Sequence, residues 1–139
     1  MGFDLKPRNK NMDWFHMGAF SWSWMLNEGV GLVLGYGPAR SPGSFSYVPD
    51  KKGRCPAYND GYYVPADLAR AMGLAALGLV ASCRRIAKEW DELSEETRKR
   101  DLEWNEKHRI YKSPVRTDFV DKAENFGVWA QESKGFGVY

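Results

Sequence analysis

Between Pro65 and Leu93 apolar residues recur at Leu68, Met72, Ala75, Leu79, Cys83, Ile86 and Trp90, always three or four positions apart. That spacing lines one side of a long helix, and such a stripe demands a second layer to cover it. Pro65 suits the first turn, where its missing N–H costs no hydrogen bond, and Asp67 complements the positive end of the helix dipole. The least polar part, Ala71 to Cys83, is bounded by Asp67, Arg70, Arg84 and Arg85. It falls short of the roughly 20 apolar residues that cross a bilayer. A buried central helix is therefore expected, with no membrane partner.

The strand signals lie at the two ends. Phe3 and Leu5 alternate with Gly2, Asp4 and Lys6 before Pro7, and Gly135-Phe136-Gly137-Val138-Tyr139 alternates in the same way. Each segment is too short to persist alone, so both are expected in one sheet, as neighbours. After the central helix, Ser94 followed by Glu95 and Glu96 starts a second helix that offers only Leu102, Trp104 and Ile110 as contacts, the pattern of a surface element. A third begins at Thr117 or Asp118 and buries Phe119, Val120, Ala123, Phe126 and Ala130 before ending near Gly135. The fold class that results is α+β: a small mixed sheet including both termini, packed against the long central helix and two further helices. With 139 residues, 43% hydrophobic and 27% charged, the chain has a globular composition and suits a single domain, 1–139.

Met12 to Leu26, "MDWFHMGAFSWSWML", is crowded with aromatics. Phe20, Trp22 and Trp24 would share one face of a strand, and the strand reading is preferred to a helix capped by Ser21. Gly29 to Gly53 carries six glycines and three prolines and reads as loop with a short strand near Phe45 to Val48. In "AYNDGYYVPADLARAM", residues 57–72, Asn59-Asp60-Gly61 is a turn signal between strand-forming tyrosines and the central helix.

Several classes of chemistry find little support. Cys55 and Cys83 are far apart, without Cys-x-x-Cys spacing, and His16 and His108 are the only histidines, so no metal site and no cofactor are expected. Two widely spaced cysteines and the lack of a signal-peptide pattern suit a reducing, cytoplasmic setting. The net charge is +2 and acids alternate with bases, which offers no tract for a nucleic-acid partner. Ser21 or Ser23 with His16 and Asp60 would complete a catalytic triad on paper, but no Gly-x-Ser-x-Gly elbow accompanies them. "GVGLVLGYG" lacks the Gly-Lys-Ser/Thr of a phosphate loop. What remains is a surplus of flat rings, among them Trp14, Trp22, Trp24, Tyr36, Tyr58, Tyr62 and Tyr63, with Arg8, Arg40, Arg54 and Arg84 available for phosphates.

"MGFDLKPRN", "FSWSWML", "YNDGYYVPADLARAM" and "FVDKAENFGVWAQESKGFGVY" together resemble a family of small bacteriophage and prophage proteins. The resemblance covers both ends and the middle, leaving 29–54 and 94–113 outside it. Some members carry Cys-x-x-Cys pairs that this chain lacks. It implies a phage origin, cytoplasmic action in an infected bacterium, and no particular mechanism. Together with the aromatic surplus it leads to the expectation of a non-enzymatic protein that sequesters a nucleotide-like immune signal, with a homo-oligomer carrying sites at its subunit interfaces as one form open to it. The expected ligand-binding residues are Arg8, His16, Trp22, Trp24, Tyr58, Asn59, Asp60, Tyr62 and Arg84, with no catalytic residue. A protein that blocks a host defence protein through an aromatic surface, and a hydrolase of a nucleotide signal using Asp60 and His16, are the alternatives.

Overall fold

The alternation at the chain's two ends becomes a sheet. Strand β1 (Gly2–Pro7) pairs with β2 (Phe15–Gly18) on one side and with β6 (Gly135–Val138) on the other, and β6 pairs in turn with β5 (Tyr62–Pro65). The computed structural model describes residues 2–38, 45–108 and 116–139. All three pairings in this sheet are antiparallel, so the expected mixed sheet is an antiparallel one, of order β2-β1-β6-β5. The terminal strands are neighbours as expected, with Leu5 opposite Val138 and Lys6 opposite Gly137. A separate pair, β3 (Gly37–Pro38) with β4 (Phe45–Ser46), lies in the glycine-rich segment.

Helix α1 (Ala19–Asn27) replaces the strand expected for Phe20 to Trp24. Trp22, Met25 and Leu26 are buried at i, i+3 and i+4, which is a helical face, whereas Phe20 is 82% exposed. The two-residue rhythm of the aromatics hid this longer period. Ser21 is not the cap either: it stands inside the helix, and its Oγ donates back to the Gly18 carbonyl. A short 3-10 helix (Val30–Leu34) follows, bracketed by Gly29 and Gly35 in left-handed conformations, φ 112° and 66°. The segment read as loop thus contributes Val30 and Leu34 to the core.

The central helix α2 (Ala66–Glu92) and α4 (Thr117–Glu132) run where the periodicity placed them. They meet backbone to backbone: a Cβ on Gly73 would stand 2.7 Å from the Gly127 carbonyl oxygen, so neither position has room for a side chain. Helix α3 (Glu95–Lys107) buries nothing, its Ser94 cap accepts from the Thr97 N–H, and Leu102 and Trp104 are exposed. Ile110 and Arg40 lie outside the described residues. At 27 residues α2 is long and apolar enough to cross a bilayer by length and composition, unlike its 71–83 stretch alone. Here the part of the helix up to Val80 lies against α4, β6, β5 and the 3-10 helix, whereas nothing beyond Val80 is buried and Ile86, expected on the covered stripe, is 60% exposed.

Helices α1, α2 and α4 cover one face of the sheet. Phe3, Leu5, Met17, Val64, Phe136 and Val138 point into that layer and are buried with Trp22, Met72 and Phe126. The alternate residues point outward.

Candidate functional site

The outward residues form rows that cross the sheet. One row is Lys6, Gly137 and Tyr63, set by the register of β1, β6 and β5. The next is His16, Asp4 and Tyr139, with Asp4 and Tyr139 exchanging both backbone hydrogen bonds at 2.8 and 2.9 Å. Arg8 and Arg54 stand at the margin, and with Lys6, Gly61, Tyr63, Gly137 and Tyr139 they line a shallow, open depression of about 470 Å³, which His16 and Asp4 do not reach. Its centre is Gly137, where a Cβ would lie 2.7 Å from the ring of Tyr139, so the tyrosine covers a residue that has no side chain of its own.

Aromatic and cationic groups alternate on this face. The Trp14 and Tyr139 ring centroids are 6.0 Å apart, and Lys6 Nζ sits 5.6 Å above the Trp14 ring. Arg8 Nη1 donates to the Tyr63 hydroxyl at 3.4 Å. Trp14, Tyr63 and Tyr139 remain 55%, 38% and 46% exposed. His16 Nδ1 is 2.8 Å from Asp4 Oδ1 on the adjacent strand.

Arg54 is held by Asp50, whose side chain is almost entirely buried. Asp50 Oδ2 accepts from Arg54 Nε at 2.7 Å and from the Tyr63 N–H, and Oδ1 accepts from the N–H groups of Lys52 and Arg54. Desolvation pushes this carboxyl up, but the hydrogen bonds from Arg54 and from the Tyr63 and Lys52 backbone outweigh it and hold the pKa at about 2, against an ordinary 3.8. A folded-state pKa below the unfolded one adds stability above the unfolded value, and this is lost as pH falls through the folded value. The contribution is about 2 kcal/mol. Denaturant titrations of the wild type and Asp50→Asn should therefore differ by that order at neutral pH and converge as pH falls from about 4 to 2. A gap that does not change with pH would show that the charge of Asp50 is not its source.

The expected ligand-binding residues divide into three groups. Arg8 and His16 lie on the open face, and exposed Tyr58, Asn59 and Asp60 form the turn at its rim, next to Gly61, whose N–H bonds the Val138 carbonyl. Trp22 and Tyr62 are core residues instead. Trp22 is 0% exposed, lies between Phe3 and Phe126, and donates Nε1–H to the Pro56 carbonyl. Tyr62 points inward, and its hydroxyl donates to the Val48 carbonyl at 2.8 Å. Trp24 and Arg84 belong to the helical layer: Trp24 packs on Phe119, and Arg84 is engaged by Glu124 and Asp121 of α4.

Lys6, Gly137 and Tyr139 were missing from the expected set, although each is the outward neighbour of a buried residue in an alternating strand. His16 and Asp60 stand at opposite edges of the sheet, three strand spacings or about 14 Å apart, and do not form a catalytic pair. Ser21 faces the Gly18 carbonyl rather than His16. Among the described residues no group of three His, Cys, Asp or Glu side chains is placed to hold a metal ion. Comparison with protein-family models, with curated proteins and with solved structures gives no match.

Proposed function

We propose that this protein is a non-enzymatic binder of a nucleotide-like signalling molecule and that it holds its ligand on the open face of the sheet. One observation carries the reading: Lys6, Arg8 and Arg54 stand around one depression with exposed Tyr63 and Tyr139, and exposed Trp14 lies 6.0 Å from Tyr139, on a sheet face that none of the described helices covers. Phosphates suit Lys6 and Arg8, a base suits Trp14 or Tyr139, and ribose hydroxyls suit Asn59 and Asp60 at the rim. In the phage setting that the sequence motifs imply, such binding withholds an immune signal in the cytoplasm of the infected bacterium. Calorimetry against cyclic dinucleotides and ADP-ribose-derived signals tests this, and the ligand should be recovered intact after denaturation. Arg8→Ala should weaken binding roughly tenfold, the worth of one charge-assisted hydrogen bond. Failure of every such ligand to bind at high micromolar concentration would count against the proposal.

A second reading, obstruction of a host defence protein, draws on a different surface. The far half of α2 and all of α3 expose Ile86, Leu102 and Trp104. A stoichiometric host protein captured from lysate, lost on Trp104→Ala and with no small molecule retained, would favour it.

A further inference from the structure

Among the described residues the open face is only shallowly indented. A single nucleotide lying there therefore keeps one side in water, whereas sites that hold small molecules tightly bury most of the ligand's surface. A chain of linked units escapes that limit, because each unit adds its own contact to the same face. Repeated contacts of one kind are what this face offers. Trp14 and Tyr139 are tilted by 35° with centroids 6.0 Å apart, and Tyr63 lies across Gly137 from Lys6. Any base can stack on such rings, whatever its identity.

The charges have a direction. Asp4 is engaged by His16 at 2.8 Å, and Asp60 is confined to the rim beyond Gly61, so the side of the face left for phosphates is that of Lys6 and Arg8. Read along the chain, alternating acids and bases argue against a polyanion. Folding gathers Lys6 and Arg8 on one side of the face, while Arg54, at its margin, is offset by the carboxylate of Asp50.

We infer that the open face binds single-stranded nucleic acid, with two or three successive bases stacked on Trp14, Tyr139 and Tyr63 and the backbone phosphates running along Lys6 and Arg8. The inference goes beyond the proposed small-ligand role of this face and names a polymeric ligand for the same residues. A single strand is required because in a duplex the faces of each base are covered by the neighbouring pairs of the stack. Sequence preference is weak, since stacking and phosphate contacts read no base edges.

Fluorescence anisotropy with labelled oligothymidylates of one, two, four and eight nucleotides tests this, with an eight-base-pair duplex and a cyclic dinucleotide as competitors. Affinity should rise by roughly tenfold or more between one and four nucleotides and fall as salt is added. Trp14→Ala and Tyr63→Ala should each weaken binding of the longest strand by roughly tenfold. Lys6→Gln and Arg8→Gln, which keep the side-chain stems, should each lower the salt dependence by about one ion. Equal affinity at every length, with the cyclic dinucleotide bound as tightly as the longest strand, overturns the inference and leaves the small-ligand reading standing. No binding of any probe overturns the inference, and adding failure of the ADP-ribose-derived signals overturns the small-ligand reading as well. Preference for the duplex, or indifference to both ring substitutions, overturns the stacked arrangement.

Discussion

Removing residues 136–139 should abolish cooperative folding. These residues supply most of β6, which is interior to the sheet, bonded to β1 on one side and β5 on the other. Without them β5 has no partner strand, and the Asp4–Tyr139 and Gly61–Val138 backbone bonds disappear. Phe136 and Val138 are both 0% exposed, and Phe136 packs its ring on Phe126 and Trp129. Losing a buried phenylalanine costs about 3–5 kcal/mol and a buried valine roughly 2 more. That alone is comparable with the whole stability of a small domain, about 5–15 kcal/mol. Circular dichroism should show residual helix without a sigmoidal melt. A shortened chain that melts cooperatively within a few degrees of the full one would contradict the sheet order.

Trp22→Ala should cost about 3–5 kcal/mol, the usual range for emptying the site of a large buried ring. The loss has two parts. Trp22 fills the junction between the sheet, at Phe3, and α4, at Phe126, with ring centroids 5.8 Å from each. It also satisfies the Pro56 carbonyl, which fastens the approach to the 57–61 turn. Trp22→Phe keeps a ring but drops that hydrogen bond, so it should fall between the two, with about 1 kcal/mol assigned to the bond. Phe20→Ala, two positions earlier on the solvent side, should change stability by less than about 0.5 kcal/mol. Urea denaturation of the three variants measures the series. Equal losses at positions 20 and 22 would restore the strand, where the two rings share a face.

The same positions explain what could be read in advance. Helices α2 and α4 were legible because their apolar residues keep one period over many turns, and β1 and β6 because alternation survives even in five residues. The block around Trp22 was not, since five aromatics outweighed the pair Met25 and Leu26 that set the helical face. The site was half legible for a related reason. Tyr62 and Tyr63 are equally aromatic, and only the alternation with buried Val64 turns Tyr62 inward and Tyr63 outward. That Lys6, Gly137 and Tyr63 stand in one row depends on a register between segments more than 50 positions apart, which local pattern does not encode.

The pairing of β1 with β6 also sets a timetable for the molecule's birth. Every other described element leaves the ribosome before β6 does, yet the first strand cannot complete its ladder until residues 135–138 exist. At roughly 5–20 residues per second, β1, paired on one side with β2, waits on the order of ten seconds for the strand on its other side. Synthesis rather than chain diffusion therefore limits when the sheet can close. During that interval the nascent chain is a substrate for whatever in the cell recognises bare apolar strands.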